Sequence, residues 1–149
     1  MNDLLVTALS QYGISEIPGE INNPEVLKYF DEIGHAWVDE ETTPWCAAFI
    51  NWVAQQAGYE MTGKLNARSF LDIGDEIQTP QLGDLVIFWR KSKNSVYGHV
   101  AIFIREAEHV LYVLSGNQKN QVNISAYRKD RVLGYRRLRK VTSGGHQMF

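Results

Sequence analysis

The sequence predicts an α+β fold in which N-terminal helices pack on a roughly five-stranded antiparallel sheet. In the first half of the chain, apolar residues recur at spacings of three and four, the period of an amphipathic helix. In the second half, short apolar runs alternate with turn residues, as in β-strands. The short connections between these runs favour an antiparallel meander. Helices followed by strands are typical of α+β domains.

Four helices are predicted, and a glycine suited to the left-handed position after a helix follows each one. Asn23, Thr43 and Asn66 are expected to cap the second, third and fourth helices, and prolines at 24 and 44 suit the first helical position. The third helix carries Trp45, Phe49 and Trp52 on one apolar face. The predicted helices and their glycines are 3–12 with Gly13, 24–33 with Gly34, 44–57 with Gly58, and 67–73 with Gly74.

Five strands are predicted between the turn-forming segments of the second half. Alternation along the second strand places His99, Ala101 and Phe103 on one face, and the small Ala101 would leave room for a helix across that face. The predicted strands are Leu85–Trp89, His99–Ile104, Val110–Ser115, Val122–Tyr127 and Val132–Leu138.

Length and composition indicate one folded domain over residues 1–140, with a flexible tail at 141–149. The net charge of −2 argues against a protein that mainly binds nucleic acid, and no apolar run is long enough to predict membrane insertion. The N-terminus lacks the features of a signal peptide, so we expect synthesis in the cytoplasm. A single cysteine excludes an intramolecular disulfide, and we expect a monomer.

That cysteine, Cys46, is predicted to lie in the first turn of the third helix. Unpaired backbone N–H groups and the helix dipole favour a thiolate there. A thiolate nucleophile needs a base, and His99 opens an apolar strand directly after Gly98. A lone cysteine on a helix is more often a small buried residue, and a lone histidine at a strand start is more often structural. Their joint occurrence favours a catalytic pair.

Several motifs together resemble the CHAP amidohydrolase/peptidase family of the papain-like NlpC-type superfamily. They are Thr43–Phe49, Gly98–Phe103, the Gly-Asn-Gln at 116–118, the Val-Asn-Ile-Ser at 122–125 and the Val-Leu-Gly-Tyr-Arg at 132–136. The resemblance implies a papain-like fold, with Cys46 as nucleophile and His99 as general base and acid. It also implies cleavage of an amide bond in peptidoglycan, by an N-acetylmuramoyl-L-alanine amidase or a peptide endopeptidase. No cofactor or metal is expected, since Asp72, Asp75 and Glu76 do not form an EF-hand loop.

A third polar residue should orient the imidazole of the base. The strand after His99 would return near its start, so Asn117 is predicted for this role. Many relatives carry an acid at the position matched to Ser115, which this chain lacks. Ser115 or a backbone carbonyl therefore stays an alternative, as does a purely turn-forming role for Asn117. Asn66 and Trp45 are predicted substrate contacts, although an aromatic at this spacing also suits the core.

The expected partner is bacterial peptidoglycan or a muropeptide, reached in the cell wall or periplasm by non-classical release. Both a phage-type lysin and a secreted antibacterial effector fit, and the latter would have delivery machinery and an immunity protein as partners. Two other interpretations stay open. One is a non-catalytic wall-binding or phage structural module, and the other is a cysteine hydrolase that acts on a different amide.

Overall fold

The computed structural model describes residues 3–16, 23–35 and 45–141. Its α-helices are α1 (Asp3–Leu9), α2 (Pro24–Asp31) and α3 (Cys46–Ala57), and two 3₁₀-helices span Ala67–Asp72 and Lys129–Arg131. The strands are β1 (Asp75–Ile77), β2 (Leu85–Trp89), β3 (Gly98–Glu106), β4 (Val110–Gln118), β5 (Gln121–Arg128) and β6 (Val132–Arg137). They form one antiparallel sheet in the order β1-β6-β2-β3-β4-β5. The α+β prediction is confirmed.

The sheet has six strands, one more than expected, and the predicted fourth helix is a 3₁₀-helix. The extra strand β1 is three residues long and pairs Asp75 with Arg137 and Ile77 with Tyr135. Its sequence Asp-Glu-Ile has no apolar alternation, so its extended conformation depends on pairing with β6. Most of the predicted C-terminal tail, residues 142–149, lies outside the described residues. In the described part of the chain, no helix is both long and apolar enough to cross a membrane.

Helix ends follow the sequence signals only in part. Helices α1 and α2 end at Leu9 and Asp31, two or three residues before their predicted ends, and the predicted cap Asn66 forms no capping hydrogen bond. The side chain of Asn23 accepts a hydrogen bond from the backbone N–H of Glu25 at 2.9 Å, so this predicted cap is confirmed. Helix α3 ends at Gly58, which has a φ of 82°. Its first residue is Cys46, two residues later than predicted, and Trp45 occupies the cap position without a side-chain hydrogen bond. The predicted cap and first residue, Thr43 and Pro44, lie outside the described residues.

Two apolar clusters cover the two faces of the sheet, and α3 packs on one of them. The cluster with α3 includes Val100 and Ile102, whereas Ala101 and Phe103 belong to the other cluster. The prediction that a helix crosses the Ala101 face is therefore wrong. The larger side chains of Val100 and Ile102 bury more apolar area under the helix than Ala101 would, which stabilises the observed arrangement. His99 lies beside members of the second cluster.

Helix α3 approaches β4 closely at Gly116. A Cβ added to Gly116 would lie 2.6 Å from the Trp45 ring and 2.9 Å from the Cβ of Phe49. Both of these side chains are completely buried. The absence of a side chain at Gly116 therefore lets the start of α3, and Cys46 with it, lie against the sheet.

Gly116→Ala is expected to lower the free energy of unfolding by about 1–3 kcal/mol, because the added methyl group overpacks this contact. Chemical denaturation monitored by tryptophan fluorescence measures the loss. Gly134→Ala is the matched control, since its nearest contact, at 2.9 Å, is the flexible end of the Arg136 side chain. Equal losses in the two variants would contradict the packing argument.

Candidate active site

Cys46 begins α3, and its side chain is 5% exposed. Burial raises the pKa of the thiol above its ordinary value. A hydrogen bond from the backbone N–H of Val100, the charge of Arg90 and the amides of Ala47 and Cys46 act in the opposite direction. The helix N-terminus therefore favours the thiolate, as expected, but burial outweighs it. In the resting structure the thiol keeps its proton at neutral pH.

His99 is the second residue of β3, and its side chain is completely buried. Its ring stacks on Tyr127, with centroids 4.8 Å apart and planes inclined by 15°. Phe88, the cross-strand partner of His99, stacks on the same tyrosine at 4.9 Å. These aromatic contacts fix the plane of the imidazole, so its two nitrogens have defined neighbours.

The Nε2 atom of His99 lies 2.9 Å from Oε1 of Gln118. The amide nitrogen of Gln118 donates to the backbone carbonyl of Asn123 at 2.7 Å and lies 3.3 Å from that of Val113. Carbonyl oxygens only accept, so the orientation of the Gln118 amide is determined and its oxygen faces the imidazole. The Nε2 atom must therefore carry the proton and donate it to Gln118.

The other ring nitrogen, Nδ1, lies 3.2 Å from a guanidinium nitrogen of Arg90. A guanidinium only donates hydrogen bonds, so Nδ1 presents its lone pair and the ring is neutral. Burial and then the charge of Arg90 lower the pKa of His99 to about 3, and the hydrogen bond with Gln118 opposes this shift in part. The hydrogen-bond partners of the base are thus Arg90 and Gln118.

The structure does not place Asn117 at the ring. Asn117 has a φ of 59° and lies in a bulge, where the pairing of β4 with β5 shifts between Ser115 and Gln118. One extra residue in a bulge changes which side chains share a face. Ser115 and Gln118 are both buried as a result, whereas Asn117 is half-buried. Ser115 donates to the carbonyl of Val100 at 2.7 Å.

Sequence reasoning missed Gln118 and Arg90. Gln118 belongs to the Gly-Asn-Gln motif, and the tolerance of asparagine for positive φ was the available signal for a bulge. Arg90 directly follows the apolar run of β2 at the start of a polar loop, where an arginine gives no signal of its own.

The two predicted substrate contacts lie in different surroundings. Trp45 is completely buried and stacks on Tyr29, with centroids 5.9 Å apart, so it lies in the core beside the nucleophile. Asn66 is exposed at the start of a 3₁₀-helix, where its side chain forms no capping hydrogen bond. Among the described residues, no group of three or more His, Cys, Asp or Glu side chains could hold a metal ion.

The loop between β2 and β3 carries Arg90 at one end and leads into His99 at the other. Arg68, in the first 3₁₀-helix, donates to three carbonyls of this loop, those of Tyr97, Lys93 and Ser92, at 2.9, 3.1 and 3.2 Å. At the end of the loop, a Cβ on Gly98 would lie 2.8 Å from the carbonyl oxygen of Phe88. Arg68 and the close approach at Gly98 therefore fix the backbone that positions Arg90 and His99.

The family model for the CHAP domain matches residues 38–127. A search of curated proteins found no match. A solved structure from Staphylococcus aureus subsp. aureus Mu50, described as similar to a lipoprotein of the NLP/P60 family, matches with a TM-score of 0.51 and 22% identity. The match covers 91% of this chain and 40% of that chain.

The present chain thus spans about 40% of the length of that protein, and the similarity establishes a shared papain-like fold of the NlpC/P60 type. The CHAP match covers more than half of the sequence and includes the thiol, the buried imidazole and the glutamine that orients it. On this basis the chain belongs to the CHAP domain family, a family of peptidoglycan hydrolases.

Proposed function

We propose that this protein cleaves an amide bond in peptidoglycan through a thioester on Cys46, with His99 as the general base and acid. The observation that carries the proposal is that Arg90 and the backbone of Val100 link the two residues. The thiol accepts a hydrogen bond from the amide of Val100, the residue after His99, and Arg90 acts on both side chains. The membership of the CHAP domain family supports peptidoglycan as the substrate class.

In the proposed reaction, Nδ1 of His99 takes the thiol proton while the sulfur attacks the scissile carbonyl. The backbone N–H of Cys46 is a candidate donor to the oxyanion that forms. The protonated imidazole then gives its proton to the leaving amine, and water hydrolyses the thioester with His99 again as base. Gln118 keeps the other ring proton on Nε2, so that Nδ1 is the nitrogen that exchanges protons.

Removal of the nucleophile is expected to abolish turnover. Cys46→Ala should release no soluble fragments from purified sacculi, and His99→Ala should reduce release by at least about 100-fold. Mass spectrometry of the fragments distinguishes an amidase from an endopeptidase. A wild-type protein that binds sacculi without releasing fragments would instead support a non-catalytic module. Turnover of casein without turnover of muropeptides would support another amide substrate.

The pH dependence of thiol alkylation is expected to show a neutral resting pair. Because burial raises the pKa of Cys46, the thiolate fraction should be small at neutral pH and increase as the pH rises through that raised value. The low pKa of His99 means that no imidazolium stabilises a thiolate between pH 4 and 7. The rate of alkylation of Cys46, the only cysteine, measures this profile. A reactive plateau in that acidic range would contradict a neutral pair.

Gln118 is expected to matter more for catalysis than Asn117. Gln118→Leu removes the acceptor for Nε2 and should lower kcat by about 10- to 100-fold, the usual effect of losing a residue that orients a functional imidazole. Asn117→Gly is the matched control, because glycine adopts the positive φ of this position without strain. Kinetics on a muropeptide substrate measures both variants. A larger loss in Asn117→Gly would assign the orienting role to Asn117.

A further inference from the structure

The proposed reaction assigns no role to Arg90, although this residue lies at the imidazole. It follows the last residue of β2 and is half-buried. Its backbone N–H donates to the carbonyl of Tyr97 at 3.1 Å, so its main chain is held by the β2–β3 loop. Its guanidinium reaches Nδ1 of His99 and hydrogen-bonds to the hydroxyl of Tyr127, and its charge acts on the thiol of Cys46.

The hydrogen bond between Arg90 and Nδ1 occupies the atom that the reaction needs. Gln118 fixes the proton on Nε2, so Nδ1 is the ring nitrogen that carries the lone pair. While a guanidinium donates to that lone pair, the imidazole cannot accept the thiol proton. The resting arrangement is therefore inactive until the hydrogen bond between Arg90 and Nδ1 breaks.

A carboxylate is the acceptor that suits Arg90 best. Within the described ranges Arg90 has no acidic partner, whereas Arg128, Arg137 and Arg139 pair with aspartates. Hydrogen bonds between two ionised groups are about twice as strong as neutral ones, and a guanidinium can bind both oxygens of a carboxylate. The nearest described neighbours of His99 and Cys46 besides Arg90 are uncharged, and they are Phe88, Val100, Gln118 and Tyr127. Among the described residues, the site thus offers one positive charge, which matches a monoanion.

We propose that Arg90 binds a carboxylate of the peptide substrate beside the scissile amide, and that this contact moves the guanidinium away from Nδ1 of His99. The inference rests on the proposed function and makes it more specific. The preferred substrates are peptides with a free carboxylate next to the bond that is cut, and the amidated forms of the same peptides are poor substrates. Binding of the correct substrate itself completes the catalytic pair.

Alkylation of Cys46 tests the carboxylate site without requiring turnover. Iodoacetate carries a carboxylate and iodoacetamide does not, while both react with the same thiolate. The ratio of the iodoacetate rate to the iodoacetamide rate is therefore independent of the thiol pKa. In the native protein we expect this ratio to exceed that of the urea-unfolded protein at least fivefold, and Arg90→Gln should abolish the excess.

Arg105→Gln is the matched control, since it removes the same charge about 20 Å along β3 from His99 and should keep the excess. Arg90→Lys keeps a charge without the planar guanidinium, and this variant should retain part of the excess in the rate ratio. An excess that survives in Arg90→Gln, or no excess in the native protein, would overturn the inference.

Hydrolysis of a matched pair of muropeptides, one with a carboxylate beside the scissile bond and one with a carboxamide, separates the two proposals. We expect kcat/KM to favour the carboxylate form at least tenfold in the wild type and in Arg105→Gln, and we expect Arg90→Gln to cleave both forms with equal kcat/KM. Turnover without a preference would overturn the carboxylate site and leave the proposed function intact. No turnover, together with an alkylation ratio that depends on Arg90, would refute the proposed function and leave the carboxylate site.

Discussion

The hydrogen bond from Nε2 of His99 to Gln118 determines the chemistry of the whole site. Its direction follows from the backbone carbonyls that hold the Gln118 amide nitrogen, so the protein main chain selects the tautomer of the imidazole. With Nε2 protonated, Nδ1 alone can act as a base, and the position of Arg90 decides whether it is available. The neutral amide of Gln118 thus selects the tautomer without placing a second charge in a buried environment, where an unpaired charge would be costly.

Burial and the helix N-terminus have opposing effects on the nucleophile. The amides at the start of α3 favour the thiolate. Removal of the thiol from water has the larger effect, and it raises the pKa of Cys46. The same burial lowers the pKa of His99, so the two groups rest as a neutral pair. In the proposed mechanism, activation therefore coincides with substrate binding.

The fold was predictable because its signals are local, and the same signals place Cys46 at a helix start and His99 at a strand start. Helical and strand periodicities, the glycine after α3 and the Gly-His start of β3 all lie within a few residues of the features that they predict. Strand β1 lacked such a signal because only its pairing with β6 makes it a strand. Gln118 was missed because a bulge at Asn117 shifts the side-chain alternation by one residue. Arg90 was missed because its role depends on contacts across the β2–β3 loop.

Arg68 holds the backbone of the β2–β3 loop, whereas side chains at the tip of this loop are exposed to solvent. Three carbonyls of the loop are held from outside the hairpin, while Val96 and Tyr97 expose 77% and 52% of their surfaces. The side chains of Val96 and Tyr97 can therefore be exchanged without moving the backbone at the two ends, whereas the hydroxyl of Ser95 donates to the carbonyl of Arg90 and is needed there. The hairpin is accordingly a suitable position for randomised libraries, in which the exposed side chains are varied while Arg90 and His99 keep their positions.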